Sequence, residues 1–588
     1  MMFKRKTLAF AGVAVVGALL LAGCSSAGNS TDSSSGGSSS SATTGFNAAV
    51  DKVINPSKKT GGTLKLLSSS DCDSWDPART YYGWCLNMQR VFSRTLVNYS
   101  KVNGTKFTLA PDMATDLGTH NADYTEWTYT LKDGLKYSDG TDIKAQDVKY
   151  AIERSYATDV ITGGPGFYFT AIIDAPASYK GPYKSGDLPD SAIAVDGNKI
   201  TFHLKKAFAD FNYLLGLPTS APVPKAKDTG ANYTKAPASS GPFAITDYTP
   251  TKSVTFTRNK YWEQSTDSIR KPMVDEIDLT INSNSDDIDN QLRTGSADAR
   301  MEQAVNPTFQ SQILTQPKLK ANADNPAGPT TRYTAIAASV APFDNIHCRK
   351  AVFYAWNKAA SLAIAGGAAA GKIAHSATPP GILGYDPSYD PYPSGKNNTG
   401  NLAKAKEELA ACGKPDGFAT KYAYSTPDPT NGKAFAAVKA ALGRVGITVS
   451  AATSSASDYY STFVGSPSNV KNQGLGLIAA GWGADFPTPY GFFQNIVNGN
   501  AILPQGNSNY ASINIPEVNK ILDDTGTPST QESGEALNHA LMEGAQFLPT
   551  RFAADLWYRN PRMTNVTANN ALGFGAYDVV NVGVSDGK

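Results

Sequence analysis

The sequence predicts an α/β protein built of several lobes. Three observations carry that expectation. The chain has 588 residues, enough for two to four ordinary domains, and 41% of them are hydrophobic, so sizeable cores can form. Segments with a strand period of two alternate with segments of helical period along the chain. Fifty-two glycines and 35 prolines supply the turns that such a body needs between elements.

The elements can be taken in order. Residues 123–136 (DYTEWTYTLKDGLK) alternate like a strand and turn at Asp133-Gly134, and a second turn follows at Asp139-Gly140. IKAQDVKYAIERSYA (143–157) has helical character. NKITFHLKKAF (198–208) and KSVTFTRNKYW (252–262) alternate again. In NLAKAKEELAACGKP, Leu402, Ala405, Leu409 and Cys412 recur at helical spacing, and Gly413 and Pro415 end the helix. Residues 418–426 are rich in β-formers, and PDPTNG (427–432) reads as a turn. Residues 433–445 then place Phe435, Val438, Leu442 and Val445 on one helical face, with Gly446 as the terminating glycine. ITVSAATS resumes a strand. Strand, helix, strand predicts a parallel pair with a right-handed crossover. GLGLIAA (474–480) reads as a further buried strand, so Asp485 falls just past a strand's carboxyl end, where open α/β sheets bind ligands.

The N-terminus reads as an export signal. Lys4-Arg5-Lys6 precedes an apolar run over 7–22, too short for a typical membrane span, and Leu21-Ala22-Gly23-Cys24 closes it. These four residues resemble the lipobox of bacterial lipoproteins. That resemblance implies cleavage after residue 23 and a lipid on Cys24. Ser25 to Thr44 contains ten serines and one charge, Asp32, and reads as a flexible tether running to about residue 50. The other cysteines are Cys72, Cys85, Cys348 and Cys412. In an exported body they suggest two disulfides with three possible connectivities; sequence proximity favours Cys72–Cys85, which leaves Cys348–Cys412.

Several function classes are disfavoured. The chain has 53 basic residues, and without Lys4, Arg5 and Lys6 the balance is 50 against 51 acids, which gives no basic field for nucleic acid. No CxxC occurs and the five histidines are scattered, so neither a metal nor a cofactor is expected. G-x-S-x-G and HExxH are absent. Gly366 to Lys372 has the spacing of a phosphate-binding loop, but Ile373 stands where a Ser or Thr should hold magnesium. An enzyme is not expected.

A set of motifs then occurs in order: Leu109-Ala110-Pro111-Asp112-Met113-Ala114 leading into residues 126–155, SSGPF (239–243) with RNKYW (258–262), LRTGSADA (292–299), APFDNIHCRKAVFYAWNK (341–358), and AGWGADFPTPY (480–490). From about residue 62 on, the chain resembles the family 5 extracellular solute-binding proteins, the oligopeptide- and dipeptide-binding group of ABC importers. The resemblance implies a two-lobed, type II periplasmic-binding-protein-like fold with a hinge and an extra inserted domain. On that pattern, lobe I takes 62–96, 223–330 and 560–588, the inserted domain 97–222, and lobe II 331–559. It also implies a monomer lipid-anchored at the outer face of the cytoplasmic membrane. Such a protein captures a peptide, an oligosaccharide or another small solute and delivers it to a membrane permease with a cytoplasmic ATPase. Most of the motif residues are expected to fix turns and cores.

Asp485 is the residue of most interest. No Lys, Arg or His occurs in residues 474–493 to neutralise it. In peptide-binding members, the acid at this position holds the peptide's α-ammonium. Gly481 and Gly483 would let a ligand backbone approach, and Trp482 offers a flat apolar wall. The alternative is that Asp485 caps a turn before Pro487 and Pro489. Tyr81, Tyr82 and Gly83 fall where the family's cleft-lining segment follows an Asp-Pro pair; their alternative role is core packing beside Cys72 and Cys85. The chain departs from some members in having Ala479 and Ala480 where a basic residue would read a peptide carboxylate.

Overall fold

The computed structural model describes residues 45–102, 106–426, 429–455, 458–568 and 577–587. The expected signal segment, Cys24 and the serine-rich run to Thr44 lie outside the described residues. Residues 45–50, expected to belong to the tether, are instead part of the folded body. From Gly45 the chain is docked: the Gly45 and Asn47 amides donate to Ala321 and Ala323 at 3.1 and 3.0 Å, and the Ala49 amide donates to buried Asp324 at 2.9 Å.

Strand β1 (Thr63–Ser68) opens the first sheet and is followed by helix α1 (Gly83–Phe92), buried along its whole length. Between them, Cys72 is bonded to Cys85, with Cα atoms 5.7 Å apart. The chain then leaves this sheet and builds another. β2 (Glu126–Thr130), α2 (Ala145–Arg154), α3 (Phe167–Ile172), β3 (Ile193–Asp196) and β4 (Lys199–His203) belong to it, the strands pairing in the order Thr119–His120, β2, β4, β3, all antiparallel. Trp127, Tyr129, Ile200 and Phe202 alternate inward and share one core.

The chain returns with β5 (Phe243–Thr249), β6 (Ser253–Arg258) and β7 (Glu276–Ile281). β7 pairs parallel with β1, matching Leu64 to Ile277 and Leu66 to Leu279, and these residues pack with Val254 and Phe256 in a second core. Between the two cores lies a buried ion network. Arg94 and Arg270 each reach Asp112 at 2.8 Å, and Asp267 completes the set. Buried charges persist only when so paired. The LAPDMA motif is therefore structural, as expected. So is the LRTGSADA acid: Asp298 accepts the Lys65 amide at 2.8 Å and pairs with Arg562 at 2.6 Å.

The third core belongs to β8 (Ala327–Ile336), α4 (Ile346–Ala355), β9 (Gly371–Ile373), α5 (Leu402–Ala411), β10 (Ala419–Thr426), α6 (Pro429–Gly443), β11 (Thr448–Ser455), β12 (Leu477–Gly483), α7 (Pro489–Val497) and β13 (Phe547–Ala554). The six strands lie in the order β9, β13, β8, β12, β10, β11. β10, α6 and β11 form the expected parallel unit, in register from Ala419 with Thr448 to Thr426 with Ser455. α6 starts at Pro429, earlier than the sequence suggests, because proline is tolerated in a helix's first turn. Cys348 on α4 is bonded to Cys412 at the end of α5, with Cα atoms 5.2 Å apart. Gly367–Ala370 forms a 3₁₀ turn leading into β9, not a phosphate loop opening a helix.

Candidate functional site

Asp485 lies two residues past the end of β12, as the sequence suggests. Its carboxylate accepts two hydrogen bonds on Oδ2, from the Tyr81 hydroxyl at 2.9 Å and the Tyr168 hydroxyl at 2.5 Å. It caps no backbone amide among the described residues. The turn role belongs to Thr488, whose Oγ1 accepts the Gly491 amide at 3.1 Å at the start of α7. Nor does any Lys, Arg or His among the described residues form an ion pair with Asp485. Burial pushes its carboxyl up from 3.8 to about 6, against the downward pull of the Tyr168 and Tyr81 hydrogen bonds. Burial, reinforced by the Asp485 charge, holds both phenols well above their ordinary range, so they stay donors.

Three separate parts of the chain converge here. Tyr81 comes from the loop before α1, its amide held by Asp73 at 2.7 Å. Tyr168 comes from α3 of the four-stranded-sheet region, and its hydroxyl also accepts from Asn495 Nδ2 of α7 at 3.1 Å. Phe486, next to Asp485, inserts into that region's core. It stacks on Tyr213 at 5.9 Å and meets the edge of Tyr168 at 5.5 Å between ring centroids. This anchor fixes the direction in which Asp485 leaves β12.

The other sequence-derived candidates divide. Trp75 is core, and Asp76 is buried against Arg154 Nη2 at 2.7 Å, so the start of the WDPARTYYGW segment is structural. Only its Tyr81 reaches Asp485. Tyr82 is 56% exposed, and Gly83 is the buried first residue of α1. Gly481, Trp482 and Gly483 line a cavity of about 220 Å³ together with Thr330, Arg332 and Asp555. The Trp482 indole N–H is buried without an acceptor among the described residues. Gly481 has a second reason to be glycine: a Cβ there would sit 2.5 Å from Arg332 Nη1. On one edge β12 is paired with β8 as far as Gly483; on the other its pairing with β10 stops at Ile478.

Sequence reasoning missed Tyr168, Arg332 and Arg551. Tyr168 lies in GFYFT, which has no motif. The two arginines carried one usable signal, a charge in the middle of a strand. Among the described residues no cluster of three or more His, Cys, Asp or Glu could hold a metal, and no helix is long and apolar enough to cross a membrane.

The end of β12 thus lines a cavity, and two residues beyond it stands a buried carboxylate with no cationic partner among the described residues. The chain belongs to the bacterial extracellular solute-binding proteins, family 5, which it matches over residues 108–503. It is similar to the clavulanic acid biosynthesis oligopeptide binding protein 2, with 36% identity and a TM-score of 0.88 over 93% of this chain and 99% of that one. It is 24% identical over 583 residues to heme-binding protein A of Haemophilus influenzae, covering 92% of this chain and 97% of that protein. A glutathione-binding protein, GsiB of Escherichia coli, is 26% identical over 368 residues, 61% of this chain and 63% of its own length. The fold is shared with DppA from Helicobacter pylori in complex with the peptide STSA, at 21% identity and a TM-score of 0.69 over 90% of this chain and 99% of that one. The fold is thus the two-lobed type II fold of these binding proteins, and the chain serves solute binding.

Proposed function

We propose that this protein captures short peptides with a free α-ammonium at Asp485 and presents them to the permease of an ABC importer, held to the membrane through a lipid on Cys24. The observation that carries the reading is the Asp485 carboxylate, bonded by two neutral hydroxyls and paired with no cation among the described residues. A carboxylate screened from water interacts strongly with a single ammonium. The β12 edge beyond Ile478, with glycines at 481 and 483, suits pairing with an extended ligand backbone. An oligopeptide-binding and a glutathione-binding relative agree in ligand class, and a heme-binding relative differs. The lobes, read as residues 62–96 with 223–330 and 560–588, and 331–559, close over the ligand by a hinge.

The test is a thermal melt with three ligand sets: free-amine peptides, the same peptides N-acetylated, and oligosaccharides. A ligand that binds only the native state raises Tm in proportion to RT ln(1 + [L]/Kd). A shift with free-amine peptides that vanishes on acetylation supports the reading. A shift with oligosaccharides alone overturns the peptide assignment and moves attention to the aromatic side chains.

A further inference from the structure

We propose that a cavity between the segment after β4 and three helices of the third core is a second binding site, for a small organic cation that carries an apolar ring or branched chain. The site shares no lining residue with the cavity at Gly481, and Asp485 does not line it, so the inference does not rest on the peptide reading.

The cavity holds about 460 Å³, within the range that takes small organic ligands. One wall is the stretch that follows β4, with Phe208 and Asp210. The other is the start of α7 together with α8 (Pro516–Asp523) and α9 (Gln531–Glu543), whose inner faces belong to the third core. The two walls are pinned to each other. The Ala209 amide donates to the Thr525 carbonyl at 2.7 Å, the Thr525 hydroxyl to the Ala207 carbonyl at 2.6 Å, and the Ser529 hydroxyl to Asp210. Phe208, Tyr490, Ile521 and Leu537 give the interior its apolar surface, and the Phe208 and Tyr490 rings meet edge to face at 5.0 Å between centroids.

The charge on the lining is one-sided. Four acids, Asp210, Glu517, Asp524 and Glu532, stand against one base, Lys520, and none of the five forms an ion pair among the described residues. Glu517 and Glu532 have a local reason to be acidic: each lies in the first turn of its helix, where the macrodipole favours a negative charge. Asp524 does not. It caps the carboxyl end of α8, where the dipole is already negative. Asp210 precedes a one-turn helix but caps none of its amides. Its carboxylate accepts from Ser529, and burial pushes its carboxyl up against those bonds. A cation at this rim is attracted by all four acids, while its apolar part displaces water from the rings and aliphatic chains beneath. The face of the Tyr490 ring adds to the attraction. An anion is repelled by the same rim, and a neutral apolar molecule uses only the floor.

The probe is 2-phenylethylammonium. It is compared with 2-phenylethanol and 3-phenylpropionate, which keep the ring and chain and remove or reverse the charge. Binding is measured by calorimetry on wild type, D485N, D210N and A536W. Ala536 is an exposed lining residue on α9, so tryptophan there fills the cavity from outside the core. D485N should keep a site for the ammonium. The alcohol should bind that site about tenfold or more weakly, and the propionate not measurably. D210N should lose about tenfold for the ammonium and little for the alcohol. A536W should lose both and melt at the wild-type temperature. Ammonium binding that vanishes in D485N and survives in A536W puts the probe at Asp485 and overturns the proposal. No ammonium binding at all, or equal binding of ammonium and alcohol, overturns it too. If D210N fails to fold, exposed Asp524 supplies the same comparison as D524N. Free-amine and N-acetylated peptides titrated into A536W read Asp485 separately, so the peptide assignment and this site can fail independently.

Discussion

The Tyr168 hydroxyl donates to Asp485 Oδ2 at 2.5 Å, linking α3 of the four-stranded-sheet region to the end of β12 across 317 residues of sequence. The bond holds the carboxylate in place without neutralising it. On the peptide reading, a lysine or arginine there would occupy the charge that the ligand is to use.

Tyr168→Phe keeps the ring against Phe486 and deletes that bond. Hydrogen bonds to charged groups contribute about 1.5–3 kcal/mol. The Asp485 carboxyl should therefore rise above its value of about 6. Affinity for free-amine peptides near neutral pH should fall about tenfold or more. Calorimetric titration of Y168F checks it; affinity unchanged from wild type would remove the tyrosine from the site.

Asp485 also sets a pH dependence with two opposite signs. Its carboxyl binds a proton more tightly folded than unfolded, because folding raises it from 3.8 to about 6. The stability it contributes is present below about pH 4 and is lost as pH rises through 6. Asp485→Asn should therefore leave the free protein as stable as wild type or more so at neutral pH, by about 3 kcal/mol at most. Ligand capture runs the other way. The ammonium needs the ionised acid, so wild-type affinity should fall as pH drops below 6, and the Asn variant should lack that dependence. Melts and titrations across pH 4 to 8 separate the two signs.

Phe486→Ala tests the anchor beside the acid. Phe486 is fully buried, and truncating such a ring costs about 3–5 kcal/mol. Urea unfolding should show that loss, together with weaker peptide binding, because Asp485 loses its fixed exit from β12. A variant that loses stability but keeps wild-type affinity would mean that Asp485 is positioned by its hydrogen bonds alone.

The two disulfides close loops of different length. Cys348 and Cys412 are 64 residues apart, and Cys72 and Cys85 are 13 apart. On the chain-entropy account, removing them costs about 4 and about 3 kcal/mol, respectively. Paired alanine variants compared by urea unfolding should show the larger loss for Cys348/Cys412. Removing Cys72/Cys85 should in addition loosen the loop that carries Tyr81.

Much of this was legible in the residues. The alternation of Trp127 with Tyr129 and of Ile200 with Phe202 gave their strands, and the helical face of Val438 and Leu442 gave α6, apart from its first turn. Asp485 could be placed at a strand's end, since Leu477 to Gly483 reads as a buried strand. That no Lys, Arg or His stands within the same twenty residues was visible too. The start of the docked body at Gly45 was not visible, because a bond from Ala49 to Asp324 joins residues 275 apart.

What the sequence determined by itself is the set of local elements, the cysteines and the lone acid, because periodicity and turn chemistry act over a few neighbouring residues. Tertiary structure alone decided which side chains meet that acid. Tyr81 and Tyr168 reach it from 404 and 317 residues away, and Arg332 faces Arg551 only through the register of β8 on β13. Those meetings depend on how three separately formed cores pack against one another and on strand register. Both are fixed by burial across the whole molecule, and no short window of residues contains that information.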